Sequence, residues 1–223
     1  MGSTIKKLSK AESQVKSLKT LLNTYSTKIL EVKNAINEMM NGNGSDSYWQ
    51  GDVAADWYDE AIKQVNKMIG NYNNSYKEFE DLAILIERGK KKGKYKGCGK
   101  AAMKAILAGC TGSTYTNDIK YKNMDKEKMS TTLPATVSRD AVNDDQTKES
   151  FSKYNAMKNA LTNLSKNCDS MSRKWDEVAE NTKGTMHSDA KNRSTYIINR
   201  RNEIDAAMNN LETSYIGDII FSR

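Results

Sequence analysis

The residue types that carry most enzyme chemistry are sparse in this chain, and their spacing is wrong for the familiar constellations. One histidine, His187, stands beside the Lys183-Gly184-Thr185 turn. A single histidine excludes a histidine-pair zinc motif. A Cys-His nucleophile would need His187 beside one of three cysteines, and no spacing favours that over a solvated turn histidine. The stretch Gly93-Lys94-Tyr95-Lys96-Gly97-Cys98-Gly99-Lys100 has the composition of a phosphate loop but not its spacing. Ala101 stands where a magnesium-binding Ser or Thr belongs. Acidic pairs are abundant, as solvated helix faces require, and none is marked as an acid/base pair. The reading is of a chain that is not an enzyme, with no metal site, no cofactor and no small-molecule substrate.

What remains is interaction chemistry. Arg88, Lys90, Lys91, Lys92, Lys94, Lys96 and Lys100 form a run without an acid. The net charge is +7, from 35 basic and 28 acidic residues, and without this run the chain carries 28 of each sign. The basicity is therefore a local patch and not a nucleic-acid-coating surface. Such a patch can contact an anionic surface, and the neighbouring 101–108 helix could then rest in a membrane interface. Lysines of a solvated connector are the plainer reading. Cys98 and Cys110 bracket that short helix, each with a glycine beside it. If the protein is exported, these two are the candidate disulfide pair, a loop worth about 3 kcal/mol by chain entropy. Cys168 falls on a helix seam and reads as a buried thiol.

The elements that must position these residues are long helices. Apolar residues recur at Ile5, Leu8, Ala11, Val15, Leu18, Leu22, Tyr25, Ile29, Val32, Ile36 and Met39, in alternating steps of three and four. The face repeats at Ala54, Trp57, Ala61, Val65, Met68, Tyr72, Tyr76, Phe79 and Ile86, and Arg88-Gly89 reads as its stop. Ser47 with Gln50, or Asp52 alone, offers it an N-cap. A third seam runs from Tyr154 to Val178, with Asn143 and Gln146 as its expected cap, and a fourth from Ala190 to Tyr215. Helices are expected near 5–40, 53–87, 145–182 and 188–216. The fold class is mainly α: two long antiparallel helical hairpins, as a four-helix bundle or an elongated pair, with a small loop/β insert between them. The expected divisions are 1–88, 89–143 and 144–223. In the insert, Tyr115, Ile119 and Tyr121, then Met129, Leu133, Ala135 and Val137, alternate with polar residues and suggest a small β-hairpin.

A mean hydropathy of -0.77 suits helices with a narrow apolar seam. No apolar run approaches the roughly 18 residues of a membrane span, and no secretory signal is visible. The expected location is secreted or cell-surface without a cleavable signal, or else cytoplasmic.

The bend of the first hairpin is Asn41-Gly42-Asn43-Gly44-Ser45-Asp46-Ser47-Tyr48-Trp49-Gln50-Gly51. A Trp there can close the end of the helix pair, and the Gly lets the backbone pass beneath it. With its long flanking helices and Trp49-Gln50-Gly51 turn, the first 88 residues resemble the WXG family of type VII secretion substrates, helical hairpins of Gram-positive bacteria and mycobacteria. The resemblance implies export by such a system and a helical partner or self-association, since family members pair as four-helix dimers. It also implies a Tyr-x-x-x-Asp/Glu secretion signal, which Tyr76 and Glu80 match. This chain is about twice the family's length, so its second hairpin could supply the partner internally. The alternative is an α-helical membrane-active or pore-forming protein that uses 89–143 as its membrane-contacting insert. Ile219-Ile220-Phe221, beyond the last seam, either fold back on their own bundle or offer a second docking point that a partner would bury.

Overall fold

The computed structural model describes residues 4–42, 48–134, 137 and 145–215. The chain is mainly helical. Strand β1 (Thr4–Ile5) leads into α1 (Leu8–Asn41), and β2 (Trp49–Gln50) into α2 (Asp52–Lys94). Two short helices follow, α3 (Lys100–Ala108) and α4 (Ser113–Thr116), then a 3-10 turn at Asp125–Glu127. Strand β3 (Asp145–Gln146) leads into α5 (Lys148–Glu180), and β4 (Thr182–Lys183) into α6 (Thr185–Thr213).

The three-four seams explain the helices. Every seam residue of α1 from Ala11 to Met39 is buried. So is every residue of the expected α5 seam, from Tyr154 through Cys168 to Val178. On α2 the buried stripe is wider than a two-position seam, because Tyr58, Ile62, Ile69, Leu82 and Ala83 join it. Such a stripe packs against more than one neighbour. On α6, Arg200 occupies the seam position between Ile197 and Ile204 and is itself buried.

The chain divides into two compact units, and each long helix contributes to both. The first comprises Met1–Thr24, Tyr72–Asn123 and Asn167–Asn199; the second comprises Tyr25–Asn71, Met124–Lys166 and Arg200–Arg223. Segments of both hairpins pack together inside each. In the first, Asn167 Nδ2 donates to Leu21 O at 3.0 Å, and Arg193 Nη1 donates to Glu78 O at 2.9 Å. In the second, Trp57 Nε1 donates to Leu211 O at 2.9 Å.

Both units close on one plan. The strand at the turn of one hairpin pairs antiparallel with the strand leading into the other hairpin. In the first unit, Thr4 pairs with Lys183 and Ile5 with Thr182. In the second, Trp49 pairs with Gln146 and Gln50 with Asp145. Each turn strand is followed by a glycine with positive φ, Gly51 at 113° and Gly184 at 62°. Each of these glycines accepts the first bond of its helix, Gly51 from Ala55 N at 3.0 Å and Gly184 from His187 N at 3.0 Å.

Several boundaries differ from expectation. Helix α2 does not stop at Arg88-Gly89 but runs to Lys94. A helix interior tolerates glycine at a modest cost, and Gly89 is where Ile5 and Leu8 close on α2. A Cβ there would lie 3.3 Å from both of their Cδ1 atoms. Gly51 O accepts the first bond of the α2 ladder, from Ala55 N; Ser47, part of the expected cap, lies outside the described residues. Helix α5 is capped by Thr147, whose Oγ1 accepts from Ser150 N at 3.2 Å. The expected cap Asn143 also lies outside the described residues.

The expected β-hairpin of the insert is not formed among the described residues. Tyr115 sits in α4, and Tyr115, Ile119, Met124 and Met129 enter the units as separate buried anchors. Helix side chains satisfy the backbone that a partner strand would have paired. Asn23 donates to Asp118 O at 3.2 Å and accepts from Lys120 N at 3.0 Å. Asn66 donates to Met129 O at 3.1 Å and accepts from Met129 N at 2.8 Å. A side-chain amide offers the same donor and acceptor as a peptide group, so each clamp replaces one rung of a ladder.

Candidate docking surfaces

The first candidate is the Trp-x-Gly end of the second unit. Trp49 is fully buried. Its ring meets Trp57 at 5.4 Å and, edge-on, Tyr215 at 5.0 Å between centroids. Tyr215 in turn stacks on Tyr154 at 4.0 Å, and its hydroxyl lies 3.2 Å from Ser150 Oγ. Gly51 adopts a φ that side chains rarely reach, so the chain turns sharply from β2 into α2 and holds the indole in place. Trp49 is therefore core of this unit rather than contact surface. Spacing had placed Trp57, Tyr154 and Tyr215 on three separate seams. That they form one cluster with Trp49 had no signal in the sequence.

The second candidate lies in the first unit, where α2, α3 and the start of α1 meet. An open groove of about 990 Å³ is lined by Ile5, Leu8, Leu85, Arg88, Gly89, Lys92, Cys98, Lys100, Met103, Lys104, Leu107 and Ala108. No acid lines it. None of the nine residues of α3 is buried. The helix is held by Arg88 Nε, which donates to Leu107 O at 3.3 Å. The chain beyond it is tied down at Gly112, whose N–H donates to Glu87 Oε2 at 2.6 Å.

The basic run divides by partner. Lys90 bonds Glu12 Oε1 at 2.9 Å, and Tyr115 OH donates to the same oxygen at 3.1 Å. The Lys90 bond holds the Glu12 carboxyl below the usual carboxylate range, and the same bond raises Lys90. Burial raises Tyr115. Lys90 therefore acts within the unit. Lys94 sits 5.5 Å from the ring of Tyr95. Lys91, Lys92, Lys96 and Lys100 make no ion pair among the described residues, nor does Lys104, a cation of the groove that stands beyond the acid-free run of 88–100.

Tyr76 is buried in mid-α2, with Glu80 half-buried one turn on. Tyr76 OH donates to Glu80 Oε1 at 3.3 Å. Burial, with the Glu80 charge, pushes the phenol up to about 12. The helix continues past the pair to Lys94. Cys98 is an exposed free thiol and Cys110 a buried one. Cys110 Sγ faces Ile106 O at 3.7 Å. Cys168 is a buried thiol, as its seam position predicts. His187 is exposed and its Nδ1 lies 2.8 Å from Ala179 O. Among the described residues no cluster of ligand side chains could hold a metal ion, and no helix is long and apolar enough to cross a membrane. Ile219-Ile220-Phe221 lies outside the described residues.

No protein-family model matches this chain, no characterised protein is significantly similar to it, and no solved structure matches it.

Proposed function

We propose that this chain is a non-enzymatic helical interaction protein, exported by a type VII-like secretion system or guiding cargo to one. The observation that carries the reading is the state of Trp49 and Gly51. The indole is fully buried at the helix ends and the glycine takes a φ of 113°. These are the tasks a Trp-x-Gly turn would assign to the two positions. The second hairpin packs with the first inside each unit, so it supplies the partner that shorter hairpin proteins of that kind obtain by dimerising. Docking then falls to outer helix faces and to the basic groove.

The test is deletion of the pathway's ATPase in the source organism, followed by comparison of culture supernatants. Loss of the protein from the supernatant is expected. Undiminished export, or retention in the cytoplasm of both strains, would defeat the proposal. The membrane-active alternative has in its favour that no residue of α3 is fully buried. Under it the contacting surface narrows to about 89–111, because the insert beyond is anchored by buried Tyr115, Ile119, Met124 and Met129. Liposome leakage separates it from the first reading.

A further inference from the structure

The groove between α2 and α3 has a specific form. On α2 its lining follows one helical stripe, Leu85, Arg88, Gly89 and Lys92, at spacing i, i+3, i+4, i+7. On α3 it follows another, Lys100, Met103, Lys104 and Leu107, at the same spacing. Two helical stripes that share apolar and basic residues around one recess are a surface into which a third helix can pack. Every charged residue of the lining is basic, and from Arg88 to Lys104 the chain carries eight basic residues and no acid.

We propose that this groove is the seat of an acidic amphipathic helix from a partner protein. Leucine-type side chains of the partner would meet Leu85, Met103 and Leu107. Its flanking carboxylates would meet Lys92, Lys100 and Lys104, which make no ion pair of their own among the described residues. Helix α3, none of whose residues is fully buried, fits the same picture. A nine-residue helix is marginal in water, and an occupant that buries its face stabilises it. A bilayer suits the site less well. Membrane-resting helices turn their apolar face outward, whereas Met103 and Leu107 line a recess shared with Ile5 and Leu8. A lone phosphate would leave those apolar side chains wet. The inference rests on the reading of the chain as a docking protein and not on its export route.

Cys98 lies on the groove lining and is exposed, while Cys110 and Cys168 are buried. Its alkylation therefore reports occupancy of the groove. The experiment uses the full chain, iodoacetamide and mass spectrometry. The probe is a two-heptad peptide with leucine at the seam positions and glutamate elsewhere. A counterpart with lysine for glutamate, inorganic phosphate, and phosphatidylglycerol vesicles are run beside it. At saturation the glutamate peptide is expected to slow Cys98 alkylation by about tenfold or more, with protection falling as salt rises. The lysine peptide, phosphate and vesicles are expected not to protect. The double variant Lys100→Glu/Lys104→Glu should lose the protection with its circular dichroism and melting temperature unchanged. Leu107→Asp, measured in the same way, should lose it through the apolar lining instead. The proposal is overturned by equal protection from the lysine peptide or by none from the glutamate peptide. Protection by vesicles or phosphate alone would also overturn it, in favour of a lipid surface or a simple anion site. An export experiment that fails leaves these outcomes readable, since they are measured on purified protein.

Discussion

Trp49 contributes through its area and ring partners, Gly51 through its backbone. The indole is fully buried against Trp57 and Tyr215. Trp49→Ala is therefore expected to cost about 3 kcal/mol or more. A urea midpoint close to wild type would contradict the burial. Gly51 stands at a φ of 113°, beyond the range where even asparagine sits comfortably. Gly51→Ala should cost about 1–3 kcal/mol in backbone strain. Gly70 is the control, being a helical glycine of α2 with nothing within 4 Å of an added Cβ. Gly70→Ala should raise stability by up to about 1 kcal/mol. A series in which both alanines act with the same sign would refute the distinction.

The α2–α3 region shows how far an element is set by its neighbours. Helix α2 runs on through Gly89, Gly93 and a lysine run, and α1 and the insert hold its end by way of Glu12–Lys90 and Glu87–Gly112. Gly112 has a φ of 72°, and an added Cβ would come within 2.9 Å of Ile84 N. Strain and clash together make Gly112→Ala destabilising, and the loss should show as a lower melting temperature. The clamp at Asn66 makes the same point for the irregular insert. Asn66→Ala leaves the Met129 N–H and C=O without their partners and should cost about 1–3 kcal/mol. Hydrogen exchange checks it locally, because amides near Met129 should lose protection while those of α1 keep theirs. Uniform loss along the chain would mean that the insert and the bundle unfold as one.

At the scale of the whole molecule the ionisable groups set a stability plateau. The Glu12 and Asp118 carboxyls are held low by hydrogen bonds from Lys90 and Lys19. A group with a lowered folded pKa stabilises above its unfolded value, about 4 for these carboxyls. That stability is lost as pH falls through the folded value. Lys90, Lys153 and Lys191 are raised by carboxylate partners. Tyr76 is raised to about 12, chiefly by burial. Groups with raised folded values stabilise below their unfolded values, about 10, and lose that stability as pH climbs beyond. Urea midpoints should be level between about pH 5 and 9 and fall on both sides. The alkaline fall should track phenolate absorbance at high pH. A midpoint still level at pH 3 would contradict the carboxylate assignments.

The seams were legible because a helix of 3.6 residues per turn forces its buried face into steps of three and four. Ala11 to Met39 and Tyr154 to Val178 could be read off one by one. The hairpin plan and the burial of Trp49 followed from the same local rules. What tertiary structure decided lay where the partner is remote in sequence. The pairing of β2 with β3 and of β1 with β4, each two residues long, has no periodic signal. The alternating residues of the insert looked like strands, since alternation records only which side chains are apolar. Asn23 and Asn66 supply the missing hydrogen bonds, and nothing local marks an asparagine as a clamp. The end of α2 is likewise set by remote partners. Glycine and like charge disfavour a helix in isolation, but contacts with Ile5, Leu8 and Glu12 outweigh that local cost.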